Sequence, residues 1–147
     1  MKYDFIRENA KNAFYAVTSD EIEEAQNSLN LLLPNQLKEF YLQVGYGFIA
    51  GSEDNVNRIM DPLSVRDFRL RQNDYEYYPD IEIYDKYENE KVIFFESDIY
   101  SLISIGIGQL NDGVIYYYDV PIAKSLKEFL IKLEENDTYF VDMMNQS

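Results

Sequence analysis

The chain has 147 residues, 46% hydrophobic and 27% charged, a balance that suits one globular domain spanning 1–147 and not a disordered chain. It holds no histidine, cysteine or tryptophan, which excludes disulfides, thiol nucleophiles, imidazole bases and zinc held by His or Cys. Twenty-seven acidic residues against 13 basic ones give a net charge of −14, so nucleic acid and anionic membranes are excluded as partners and a basic protein is expected.

The opening stretch from Met1 to Glu8 lacks the apolar core of a signal peptide. No apolar run approaches the roughly 20 residues of a membrane span. A cytoplasmic protein is expected. Ile6, Ala10, Ala13, Phe14 and Val17 fall on one helical stripe and predict a first helix. Thr18 and Glu21 fit a capping box ahead of a second, with Ile22, Ala25 and Leu29 on its apolar face. Pro34 suits the first turn of a third, which carries Leu37, Phe40, Tyr41 and Val44 and ends at Gly45.

From Gly45 the pattern turns to strands. Gly45 to Gly51 reads as a turn and a short strand and Arg58 to Met60 as a second strand, whereas Leu63 to Asn73 fits helix or strand equally. Arg66, Arg69 and Arg71 lie there, close to Arg58. Val92 to Glu96 is β-rich. Ile103, Ile105 and Ile107 alternate with Ser104, Gly106 and Gly108, the period of a half-buried strand. Asp112-Gly113 predicts a tight hairpin of the mirror-image turn type, with Val114 to Asp119 returning. A last helix is expected near Pro121, burying Ile122, Leu126, Phe129, Leu130 and Leu133. The sum is an α+β fold: a central antiparallel twisted sheet flanked by N-terminal helices and one C-terminal helix.

Chemical motifs fail on inspection. Gly106-Ile107-Gly108 is followed by Asn111 where a dinucleotide fingerprint needs its third glycine. Ser52 to Asn57 has the composition of a calcium loop without its sixth-position glycine or twelfth-position glutamate. No catalytic residue, cofactor or metal site is expected. A carboxylate-based hydrolase would need acids converging on a pocket, and these acids are spread along the chain.

One local feature stands out. From Asp74 to Asp98 nine carboxylates face only Lys86 and Lys91, with Tyr75, Tyr77, Tyr78, Tyr84 and Tyr87 interleaved. Tyrosine offers large contact area with a polar tip, and carboxylates pair with a partner's Arg or Lys. Tyr77, Asp80, Glu82, Tyr84, Asp85 and Tyr87 are therefore the candidate partner-binding residues, with Glu53 and Asp54 as a second group. The alternative is a solvated loop whose tyrosine rings pack on the sheet edge.

Ser19 to Gly47 resembles the SUKH superfamily, the cell-wall-assembly-regulator-like domains. Ile22, Ala25, Leu33-Pro34, Phe40 and Gly47 match its pattern, and Ala123, Ser125 and Phe129 match its terminal helix. Gln26, Asn30 and Leu37 depart from it, and Gly45-Tyr46-Gly47 stands where Asn-Gly-Gly is usual. The resemblance implies a single SUKH-like domain without enzymatic activity. It further implies a bacterial immunity protein that neutralises a cognate toxin non-covalently, the toxin being a basic, nuclease-type domain. A regulatory or adaptor module of the same fold is the alternative.

Overall fold

A computed structural model describes residues 2–51, 56–97 and 101–145, with only the backbone of Val56. Among them seven strands form one antiparallel sheet: β1 (Ala13–Tyr15), β2 (Tyr46–Ala50), β3 (Val56–Ile59), β4 (Lys91–Ser97), β5 (Ser101–Gly106), β6 (Ile115–Tyr117) and β7 (Val120–Ala123). Their spatial order is their sequence order. Helices α1 (Asp4–Arg7), α2 (Ser19–Leu29), α3 (Asn35–Gln43), α4 (Pro62–Leu70), α5 (Leu126–Glu135) and α6 (Tyr139–Met144) accompany it. This is the expected α+β arrangement, with α6 as a second C-terminal helix beyond the one expected. No helix among the described residues is long and apolar enough to cross a membrane.

Local chemistry sets several boundaries. The Thr18 hydroxyl accepts the Glu21 N–H at 3.2 Å and opens α2; the Ser125 hydroxyl does the same for Glu128 at 3.1 Å and opens α5. The segment from Leu63 that fitted either state is α4, begun by Pro62 and burying Val65 and Phe68.

The predicted helix across Ile6–Val17 does not form. Asn9 accepts the Lys11 N–H and Asn12 donates to the Ile6 carbonyl, side-chain bonds that compete with helix continuation. The chain turns, and β1 pairs with β2, Phe14 opposite Gly47. That approach is close enough that a Cβ on Gly45 would strike the Tyr15 carbonyl, and one on Gly47 the Ala13 carbonyl. Both glycines also have positive φ, 120° and 146°.

Two further expectations change. Pro121 lies in β7, opposite Tyr116, not in a helix; on an edge strand its missing N–H costs little. At the β5–β6 turn the Val114 N–H meets the Asn111 carbonyl at 3.0 Å. Gly113 has positive φ but Asp112 does not, so the turn is not the mirror-image type.

Cross-strand partners share a face, which sorts the sheet into two sides. On the inner side Phe14 meets Phe40 of α3, Phe95 meets Phe129 of α5, and Tyr117 meets Phe140 of α6. On the outer side Phe48 lies opposite Arg58, Arg58 opposite Glu96, and Glu96 opposite Leu102. All six residues of β5 are buried, so this strand is covered on both faces instead of being half-buried.

Gly45→Ala is expected to cost more than ~1 kcal/mol, read as a lower urea midpoint by tyrosine fluorescence; an unchanged midpoint would contradict the close β1–β2 approach.

Candidate functional site

The chain between α4 and β4 (71–90) holds the acidic, tyrosine-rich stretch, including two 3₁₀ turns at Asn73–Tyr75 and Ile81–Tyr87. Its anchor is Phe68, which is buried at the end of α4. Tyr75, Tyr78 and Tyr84 set their rings edge-on to it at 5.1, 6.1 and 6.0 Å, the geometry the aromatic quadrupole favours.

Arg71 fastens the other side. Its guanidinium sits 4.9 Å from the Phe68 ring centroid. It donates to the Phe68 carbonyl at 2.6 Å, to Glu88 at 2.9 Å and to Asp85 at 2.6 Å. Burial pushes the Glu88 carboxyl above its ordinary pKa, and the Arg71 charge opposes that rise. Arg69 donates to the Lys91 carbonyl at 2.8 Å. Arg58 holds Glu96, Asp61 and Ser64, while Glu96 also accepts the Tyr75 hydroxyl at 2.7 Å. Arg66 pairs with Asp67 and Glu24. The arginines concentrated between 58 and 71 are thus all engaged within the chain.

What remains outside is acidic. Tyr77 is 88% exposed. Asp80 and Glu82 are exposed, and among the described residues their carboxylates take no side-chain hydrogen bond or ion pair. Asp85 is exposed but tied to Arg71. Tyr87 is half-buried, edge-on to Tyr118 at 5.2 Å. Tyr84, expected on the binding surface, is only 6% exposed, because it packs against Phe68 and stacks on Tyr118. Glu53 and Asp54 lie outside the described residues.

The structure adds Ile83 and Tyr118, which composition did not single out. Glu82, Ile83, Asp85, Lys86, Tyr87 and Tyr118 line a shallow depression of about 380 Å³. Ile83, 46% exposed, contributes apolar surface there, and Lys86 sits 5.0 Å from the Tyr87 ring centroid. The signal for Ile83 is its place as one of two isoleucines, with Ile81, inside an acidic run. Tyr118 gave no such signal, since it looked like the end of a strand; it occupies the β6–β7 turn with φ 56°. Apolar lining with carboxylates beside it suits the stem and charge of a partner's Lys or Arg. Among the described residues no three acidic side chains gather closely enough to hold a metal ion.

Residues 16–132 match the SMI1/KNR4 family (SUKH-1). The chain is also 59% identical over 145 residues, 99% of each chain, to a Bacillus subtilis (strain 168) protein named Immunity protein YxxD.

Arg71→Ala is expected to cost about 1–3 kcal/mol at pH 8, because it leaves the largely buried Glu88 without its cation. Unpaired, Glu88 binds a proton more readily folded than unfolded, so stability falls as pH rises. The loss should therefore be smaller at pH 5 than at pH 8 in urea titrations; a loss independent of pH would contradict the pairing.

Proposed function

The chain belongs to the SMI1/KNR4 (SUKH-1) family, and on that premise we propose that it is an immunity protein, a single domain that binds and neutralises one cognate toxin in the cytoplasm without chemistry of its own. The observation that carries this reading is 59% identity, end to end, to a protein named as an immunity protein.

The partner's character follows from charge. A net charge of −14 favours a basic partner, and a nuclease-type toxin is basic where it holds phosphate. Asp80 and Glu82 are free to meet that charge, whereas Asp85 is already neutralised by Arg71. The 71–90 surface would cover the toxin's basic region and keep nucleic acid from it.

The direct test is co-expression with the toxin domain encoded by the adjoining gene, followed by survival counts and calorimetry on the purified pair. Protection with a one-to-one complex is expected; neither protection nor complex would sink the reading. Replacing Asp80→Asn and Glu82→Gln together should slow association about three- to tenfold and flatten its salt dependence. Asp85→Asn alone should change the rate less. Equal association rates for wild type and the double variant would remove this stretch from the interface.

A further inference from the structure

We infer that the uncovered part of the outer sheet face, on β1 and β2, is the apolar half of the toxin-binding interface, receiving an apolar or aromatic segment that adjoins the toxin's basic region. This rests on the binding role proposed above.

The face is defined by register. Ala13 pairs with Phe48 and Tyr15 with Tyr46, so these four side chains project to one side. Tyr15 is 51% exposed and Phe48 39%. The Tyr15 and Tyr46 rings lie 5.5 Å apart. On the same side of the sheet, residues of β4 and β5 are buried: Ile93 is 3% exposed, Leu102 5% and Ser104 3%. The 71–90 segment reaches this side, since Tyr75 bonds to Glu96, but it stops short of β1 and β2. The result is an aromatic surface beside an acidic one.

The two surfaces are continuous. Phe48 faces Arg58 on the next strand, Arg58 faces Glu96 on the one after, and Glu96 holds Tyr75 at the start of the acidic segment. Two strand spacings of about 4.8 Å thus separate the aromatic patch from Glu96, where Tyr75 joins that segment to the sheet. A specific interface takes about 20–30 residues per partner, far more than the six that line the depression at Ile83. The adjoining sheet face supplies area of the kind found in interface cores, where tyrosine and phenylalanine are enriched.

Charge selects the occupant. A second copy would bring another −14 against the first, and like fields oppose close approach. The β1 edge is only three residues long, poor for pairing sheet to sheet. A basic toxin carries the opposite sign and can engage both halves at once.

The two halves should separate kinetically: charge sets the association rate, whereas buried anchors set dissociation. Wild type, Tyr15→Ala, the Tyr15→Ala/Phe48→Ser pair and the Asp80→Asn/Glu82→Gln pair would be compared by surface plasmon resonance against the toxin domain encoded by the adjoining gene. Leu32→Ser, exposed on the α2–α3 connection, serves as the apolar control, and thermal melts verify folding. The inference requires Tyr15→Ala to speed dissociation at least ~10-fold, the pair more so, with the salt dependence unchanged and Leu32→Ser silent. Wild type that binds, with both folded aromatic variants within twofold of it, would overturn the inference and leave the acidic reading standing. Self-association of wild type that Tyr15→Ala abolishes would assign the face to a second copy and overturn it too. Absence of wild-type binding would overturn the immunity reading itself.

Discussion

The contact between Phe68 and three tyrosines, closed by Arg71, sets the shape of the outer face. The chain between α4 and β4 is longer than the ~12–15 residues usual for a connection without long elements, and it contains four non-glycine residues at φ near +55°, Arg71, Asn73, Asp80 and Glu90. Such backbone is disfavoured by roughly 1–2 kcal/mol per residue and persists only where its surroundings hold it. The edge-to-face rings of Tyr75, Tyr78 and Tyr84 on Phe68, with Arg71 bridging Glu88 and Asp85, are what hold it. Were this junction lost, the segment would no longer present Asp80, Glu82 and Ile83 in a fixed relation to the sheet.

The same junction explains how the net charge becomes a surface property. Arg58, Arg66, Arg69 and Arg71 each donate to a carboxylate or carbonyl of the chain itself. Their charge is committed to fastening α4 and the segment behind it, so the unpaired acids at its tip are left to act outward. The sheet divides in parallel. Its inner side is filled by aromatic contacts with α3, α5 and α6, and its outer side is covered over β4 and β5 but open over β1 and β2. The proposed binding role needs such a fixed, chemically mixed surface more than it needs a cavity.

Much of this was legible in the residues, for reasons that are local. Thr18 caps a helix through a bond spanning three residues, and Gly45 ends a helix through its own φ. Asp80 and Glu82 stood out by composition. What was hidden depended on distant partners. Phe14 fits a helical stripe, and only the glycines at 45 and 47 make its strand possible. Pro121 reads as a helix start until the sheet edge claims it. Tyr84 is chemically like Tyr77, yet Phe68 and Tyr118 draw one ring inward while the other stays 88% exposed. The open aromatic face could not be read at all, because Tyr15 and Phe48 meet only through the pairing of β1 with β2.

In the proposed role a toxin is held across the acidic segment and the open sheet face together. Hydrogen–deuterium exchange of the chain, alone and saturated with the toxin domain encoded by the adjoining gene, tests it most directly. Slowed exchange is expected in residues 74–87 and in the β1–β2 pair, with β7 and α6 unchanged. Protection confined to β7 and α6, or a complex that leaves 74–87 exchanging as in the free chain, would contradict it.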